Sequence, residues 1–378
     1  MAESVPHSAR RLTLVVTSLE AGGAERVMAA LANAWSQEGR DVTLITLHHA
    51  RKDFFALSPA VTRLQLDVLG SSQGVADAVM SNIRRVRALR QAIRSSAPHA
   101  VIAFTDQTNV LTLLATRGLR VPVVVSERID PTSHDIGRAW KAARRWAYPM
   151  ARAVVVQTES VANWARTIVP AARVRVIPNP VASIRPAAIG ARSLMPLPEL
   201  PANFVAAMGS LGVRKGFDRL LRAFATATSD RPGWSLVILG EGEERTALEA
   251  QAASLGISTR VMLPGLIEYP GRVLERAGLF ALSSSSEGFP NALLEAMSCG
   301  CAVVSFDCPS GPADLVQQGI NGVLVPPNDE DALAAAIRSL IDDPARRAAL
   351  GAAARDVNRR YSLAAVMHQW NTLLESLA

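Results

Sequence analysis

Two carboxylates, Glu287 and Glu295, bracket the segment Ser283-Ser284-Ser285-Ser286-Glu287-Gly288-Phe289-Pro290-Asn291-Ala292-Leu293-Leu294-Glu295-Ala296-Met297. A short apolar run ending in serines reads as a strand. The loop after it carries Glu287 and Gly288, Pro290 suits the first position of a helix, and Gly300 suits its end. At 1.5 Å per residue Glu295 lies about 7–8 Å along that helix from Pro290, whereas Glu287 precedes it. A helix N-terminus suits a diphosphate, and each flanking carboxylate can accept hydrogen bonds from a pair of hydroxyls, one pair on a sugar and one on a ribose. Spacing alone proves little, because Glu241 and Glu249 have the same separation. That second pair lies on or beside one helix, without the strand, loop, proline and helix, and is read as structural.

Three further segments follow apolar runs. Gly209-Ser210-Leu211-Gly212-Val213-Arg214-Lys215-Gly216 sets adjacent cations in a glycine-rich turn. Arg as a planar fork and Lys as a point charge can neutralise a diphosphate and the charge that builds on it as it leaves; a solvated basic turn is the plainer alternative. Leu19-Glu20-Ala21-Gly22-Gly23-Ala24-Glu25-Arg26 lets the backbone approach a phosphate at the opening of a helix. It is not a dinucleotide fingerprint, and an ordinary strand-to-helix turn explains it as well. Leu239-Gly240-Glu241-Gly242-Glu243-Glu244-Arg245 balances a binding loop against plain capping of an acidic helix start. Asp329-Glu330-Asp331 precedes a helix and reads as a cap, not a metal site.

The elements that must position these residues alternate as short β-branched runs and longer amphipathic stretches, the rhythm of parallel-sheet proteins. Strands are expected near residues 12–17, 41–47, 100–104, 121–126, 153–157 and 174–178. After a lapse they are expected again near 204–209, 235–239, 260–263, 279–283, 302–306 and 322–325. Helices include 24–37, 77–95 and 137–150. Between Pro178 and Asn203 five prolines accumulate, Pro180, Pro186, Pro196, Pro198 and Pro201, a linker composition. The fold class is therefore α/β, with two doubly wound Rossmann-like domains, 1–185 and 186–378, whose strand ends are expected to face a shared crevice. The last helix is free to pack back on the first domain.

With 378 residues, 49% hydrophobic and 19% charged, the chain has the composition of a folded protein. Residues 1–185 carry 24 Lys and Arg against 13 Asp and Glu, a net +11, while 186–378 carry 16 against 20, a net −4. That field suits an anionic surface or substrate near the first half, and solvated arginine faces account for it equally well. Cys299, Cys301 and Cys308 lack a fourth ligand and a nearby histidine, so they read as reduced core thiols and not as a zinc site. No apolar run approaches the ~18–20 residues that cross a bilayer, and the first, Leu12–Thr17, is too short for a signal sequence. The expected location is the cytoplasm.

The Glu287–Glu295 segment with its Gly-Phe-Pro-Asn-Ala-Leu-Leu core, the Gly22-Gly23-Ala24-Glu25-Arg26 loop and the Arg214-Lys215-Gly216-Phe217-Asp218 stretch resemble the family 4 retaining glycosyltransferases of GT-B fold. The resemblance spans nearly the whole chain, is densest from Gly209 to Pro326, and is nearest in flavour to bacterial enzymes building exopolysaccharide or lipid-linked oligosaccharide. It implies that Glu287 contacts the donor sugar and Glu295 the ribose. Arg214 and Lys215 hold the diphosphate, helped by Gly22, Gly23 and the backbone of Gly288, Phe289, Pro290 and Asn291, with Leu294 in the same helix turn. It also implies a hexosyltransferase acting with retention by a front-face mechanism, in which the departing phosphate helps deprotonate the acceptor. By the same resemblance no metal or cofactor is expected. The donor expected from it is a UDP-sugar in preference to GDP-mannose, carrying a hexose or N-acetylhexosamine, and the expected acceptor is a hydroxyl of a glycan or a polyprenyl-diphosphate-linked saccharide. Many relatives place a histidine after the strand near 121–126. This chain reads Ser126-Glu127-Arg128-Ile129-Asp130-Pro131 there, with His134 out of register, so Glu127 and Arg128 become candidate sugar or acceptor contacts.

Basic and aromatic residues at helical spacing, Arg138, Trp140, Lys141, Arg144, Arg145, Trp146 and Tyr148, with Arg84, Arg85, Arg87, Arg90 and Arg94 upstream, suit a helix lying on the anionic inner face of a membrane. A helix burying its Trp residues in the core fits the same pattern. No nucleic acid is expected. Two rival readings share the architecture: a nucleotide-sugar epimerase, which needs no acceptor, and a degenerate subunit that only binds nucleotide.

Overall fold

A computed structural model describes residues 11–20, 22–48, 53–68, 74–181 and 197–377. Two parallel sheets organise it. The first has the order β3-β2-β1-β4-β5-β6-β7, with β1 Arg11–Val16, β2 Asp41–Thr46, β3 Thr62–Gln65, β4 Ala100–Phe104, β5 Val123–Ser126, β6 Ala153–Val156 and β7 Val174–Val176. The second has the order β10-β9-β8-β11-β12-β13, with β8 Phe204–Met208, β9 Ser235–Leu239, β10 Val261–Gly265, β11 Leu279–Leu282, β12 Ala302–Phe306 and β13 Val323–Val325.

Alternation along each strand sends side chains to two faces, and both faces are covered. Leu12, Leu14 and Val16 pack on the side of helix Gly23–Gln37, whereas Val15 joins the opposite core with Leu89 and Val110. Likewise Val205 and Ala207 face one way from β8, and Phe204 and Ala206 the other. Burial on both faces is why these strands read as nearly unbroken apolar runs. Among the described residues the one strand that the sequence hides, β3, has the sequence TRLQ and lies at the sheet edge with its end residues exposed.

The chain divides into Met1–Asn179 with Ala364–Ala378, and Pro180–Leu363. The expected boundary at 185/186 therefore moves to Asn179/Pro180. The physical reason lies on either side of that bond: Asn179 accepts a hydrogen bond from Arg128 in the first unit, and Val181 N–H donates to Tyr361 O in the second (2.8 Å). Most of the proline-rich stretch, 182–196, lies outside the described residues. The final helix, Leu363–Glu375, joins the first unit. Its Trp370 meets Trp35 edge-on at 6.1 Å, and Asn371 Oδ1 accepts from Trp35 Nε1 (2.9 Å) and Arg40 Nη2 (3.1 Å).

Candidate active site

In the second unit β8 and β11 are hydrogen-bonded neighbours, so the loops leaving their carboxyl ends meet. After β8 the chain passes through one 3-10 turn, Val213–Lys215, and Gly216 at φ 61° opens helix Phe217–Ala227. After β11, Ser283 Oγ donates to Lys215 O (2.9 Å) and Ser285 N–H to Arg214 O (2.9 Å). Gly216 is required here, because a Cβ at that position would lie 2.3 Å from Ser283 O and φ is left-handed. The clasp sets Lys215 Nζ 2.6 Å from Glu287 Oε1. Arg214 Nη1 lies 3.1 Å from Ser286 O and 3.9 Å from Glu287 Oε2. Lys215 and Glu287 are largely buried, whereas Arg214 is 47% exposed and open to an anion.

Glu287 is fixed from behind as well, its N–H donating to Pro309 O in the loop after β12 (3.2 Å). Helix Asn291–Cys299 then starts one residue later than the sequence suggests. Pro290 is its N-cap, with a ψ of 75° that is not helical. Glu295 is buried in that helix, and Phe289 and Leu294 enter the core, Phe289 lying 6.1 Å from the Tyr361 ring. The bend at Gly240–Glu244 acts as a buttress. Leu211 N–H donates to Glu241 O and Glu244 N–H to Leu211 O, both at 2.9 Å, and a Cβ on Gly240 would strike Gly209 O. Glu241 and Glu249 are exposed partners of one arginine, Arg245 Nη2 and Nη1 lying 2.6 and 3.1 Å from them.

In the first unit Gly22 precedes helix Gly23–Gln37 with no side-chain cap, and the Glu25 carboxylate lies against it, so close that a Cβ on Gly22 would be 2.1 Å from Oε2. Burial pushes the Glu25 carboxyl up. Glu127 and Arg128, which follow β5, both turn inward. Glu127 accepts from Tyr148 Oη and from Arg144 Nη1 (3.3 Å), and burial raises its carboxyl to about 7 against the pull of Arg144. Asn109 Nδ2 donates to Tyr148 Oη (3.0 Å), and Arg144 stacks 4.6 Å from the Trp164 ring. Arg128 lies 3.5 Å over Phe104, and burial lowers its affinity for its proton. Its Nε and Nη2 are buried without hydrogen-bond partners.

Comparison with known proteins decides what this scaffold is. The family model described as "Glycosyl transferases group 1" matches residues 197–357, and "Glycosyl transferase 4-like domain" matches 22–180. The chain belongs to the family 4 glycosyltransferases. It is similar to a Campylobacter jejuni alpha-1,4-N-acetyl-D-galactosaminyltransferase named for a PP-undecaprenol-linked saccharide, 27% identical over 96% of this chain and 98% of that one. It is also similar to the amylovoran biosynthesis glycosyltransferase AmsD of Erwinia amylovora, 26% identical over 96% and 99%. Among solved structures it resembles a sucrose-phosphate synthase from Thermosynechococcus elongatus (TM-score 0.83, 20% identity, covering 97% and 99%). Anabaena HepE in complex with UDP is another likeness (0.74, 19%, covering 97% and 100%). The fold is GT-B.

In this glycosyltransferase, then, the structure brings Arg214, Lys215 and Glu287 into one cluster and sets Glu295 in the helix that follows. Glu127 and Arg128 belong to buried networks in the other unit. The serine clasp, Ser283 to Ser286, is a part of the site that the sequence shows only as a strand end. The partners of Glu127 are Arg144 and Tyr148, with Asn109 behind Tyr148, and they leave no local signal beside Glu127. Asp329 is a cap as its position suggests, its side chain accepting Ala332 N–H (2.9 Å). The three cysteines are free and buried, and burial pushes their thiols up to about 11 for Cys299 and about 12 for Cys301 and Cys308.

Proposed function

We propose that this glycosyltransferase moves a hexose or N-acetylhexosamine, with retention at the anomeric carbon, from a UDP-sugar to a hydroxyl of a lipid-diphosphate-linked glycan in cell-surface polysaccharide assembly. The observation that carries the donor side is the Lys215–Glu287 contact at 2.6 Å, with the half-exposed Arg214 beside it. An ammonium already held by a carboxylate needs no reorganisation when charge develops on a leaving diphosphate, and a guanidinium fork reaches the same phosphates. Glu287 and Glu295 then accept hydroxyl pairs of the sugar and the ribose. The two cations meet the diphosphate charge without a metal, and activity is expected to survive a chelator.

The acceptor class rests on the Campylobacter jejuni relative, whose name carries a PP-undecaprenol saccharide, and UDP rests on the HepE complex. Among the described residues no helix is long and apolar enough to cross a membrane. Contact with an anionic membrane surface is supported by helix Arg138–Ala147, which exposes Arg138, Lys141, Arg145 and Trp146, and by Val79, Met80, Ile83, Arg84 and Arg87 on helix Val75–Ser96. Trp140 and Arg144 pack inward instead. A thermal-shift panel of UDP-, GDP- and ADP-sugars tests the donor. A ligand at a hundred times its Kd stabilises by about 2.7 kcal/mol, and a UDP-sugar is expected to give the largest shift. No shift with any of them refutes the reading, and an isomerised donor without acceptor marks an epimerase instead.

A further inference from the structure

The first sheet separates charge between the two ends of its strands. Residues 107–126, 136–158 and 160–179 hold two, five and three Lys or Arg, and no Asp or Glu. The acidic residues that bound these stretches, Asp106, Glu127, Asp135 and Glu159, all follow the carboxyl ends of β4, β5 and β6. The turns that lead into the amino ends of β5 and β6 are therefore basic alone, and Arg117, Arg120, Arg145 and Arg152 are exposed there. Such a field of one sign attracts an anionic partner.

On this face the surface sinks into a depression of about 360 Å3 lined by Leu113, Leu119, Val121, Val123 and Met150, with the exposed Arg117 in its wall. That volume falls within the ~300–1,000 Å3 of ordinary ligand pockets. Its walls are held by hydrogen bonds. Arg90 Nη1 donates to Ala115 O and Arg117 O (both 2.8 Å), which fixes the turn after helix Asp106–Thr116. Arg152 N–H donates to Val123 O (2.8 Å), and Arg173 Nη1 to Pro149 O (2.9 Å) in the 3-10 turn that carries Met150. Arg117 also stacks 5.7 Å from the ring of Trp146, and both Trp146 and Met150 are exposed large apolar side chains. Exposed apolar surface beside cations of one sign marks a contact site. Open parallel sheets take their reacting ligands outside the carboxyl ends of the strands, so a depression at the amino ends is not part of that crevice.

We infer that this depression is a binding site for a single anionic phospholipid, which lays an acyl chain against Leu119, Val121 and Met150 and sets its phosphate on Arg117. The assignment deepens the membrane reading above by giving it one lipid and one seat. A guanidinium fork meets two phosphate oxygens at once, and Arg117 carries that fork at the wall of the apolar hollow. The Trp146 indole beside it suits the level at which head groups meet acyl chains. A neutral head group would leave the surrounding arginines unmatched, and an anion without a chain would leave the apolar lining in water.

The test is methionine-methyl NMR on the full chain, with the Met150 signal identified by its loss in Met150→Leu. Dihexanoyl-phosphatidylglycerol, soluble as a monomer, is the probe. It is expected to move the Met150 signal saturably, while glycerol 3-phosphate, which has no chains, does not. Dihexanoyl-phosphatidylcholine should bind about fivefold more weakly, and Arg117→Gln should weaken phosphatidylglycerol by about the same factor. Leu119→Glu, which puts a charge against the chain, should abolish binding. The thermal shift given by UDP should be the same in both variants as in the unaltered chain, which shows them folded. No movement of Met150, or equal affinity for the two lipids and in Arg117→Gln, overturns the inference. A stronger response to polyglutamate than to the lipid also overturns it and assigns the face to an acidic protein. Flotation with phosphatidylglycerol vesicles while Met150 stays still keeps the membrane reading and removes this site; saturable movement without flotation keeps the site and refutes the membrane reading.

Discussion

Lys215 Nζ lies 2.6 Å from Glu287 Oε1 although 72 residues separate the two in the chain. Both are largely buried, which makes the pair sensitive to loss of either member. Breaking a buried pair strands a charge and costs about 3 kcal/mol, whereas removing both charges together does not. Lys215→Met is therefore expected to lower the melting temperature and to slow transfer ~100-fold or more. Adding Glu287→Gln should recover the melting temperature and leave transfer lost. Calorimetry beside a transfer assay checks this, and recovered activity in the double variant would refute the proposed roles.

Glu249 is the matched control for Glu287. It is itself exposed and shares the half-buried Arg245 with Glu241, and such surface pairs are worth about 0–1 kcal/mol. Glu249→Ala should leave stability and transfer near those of the unaltered chain, while Glu287→Ala abolishes transfer in a folded protein. Comparable losses in the two variants would show that the setting does not distinguish Glu287 and that the site had been misread.

Gly216 and Gly212 separate a required glycine from a permissive one in the same loop. Gly216→Ala combines a left-handed φ with a Cβ 2.3 Å from Ser283 O, and is expected to cost at least about 1 kcal/mol and to weaken UDP binding. Gly212 has φ −129° and open space around its would-be Cβ, so Gly212→Ala should do neither. Isothermal titration with UDP is the measurement.

The buried Glu127 predicts a pH dependence with a definite sign. Its carboxyl titrates near 7 in the folded chain against about 4.5 ordinarily, so between those values the folded state holds a proton that the unfolded state has lost. Stability contributed by this group is full below pH 4.5, falls as pH rises, and levels off above 7. Glu127→Gln removes the limb. Denaturant midpoints at several pH values should show the variant gaining on the unaltered chain from pH 5 to 8, and parallel profiles would count against it.

Trp146 is 53% exposed, with Arg117 stacked 5.7 Å from its ring. Flotation with vesicles rich in phosphatidylglycerol should carry the chain at low salt, less at high salt, and less again for Trp146→Glu. No flotation at low salt sinks the membrane reading.

Much of the fold was legible because burial on both faces of a parallel sheet leaves unbroken apolar runs at β1, β4 and β12, and because Gly300 and Asp329 punctuate helices by local chemistry. Edge strand β3 was not legible, since half-exposed residues need no apolar run.

By itself the sequence determined the two-sheet architecture, the family resemblance and the separate candidates at residues 214, 215, 287 and 295, because glycine, proline and charge patterns act over a few residues. Only the tertiary structure decided that the domain boundary lies at Asn179 and that Glu127 and Arg128 turn inward. Those outcomes depend on which strand lies beside which: β1, β4 and β5 are neighbours by sheet order, and β8 lies next to β11. The loops at their ends are brought together by hydrogen bonds across the sheet, a relation between distant segments that no local pattern encodes.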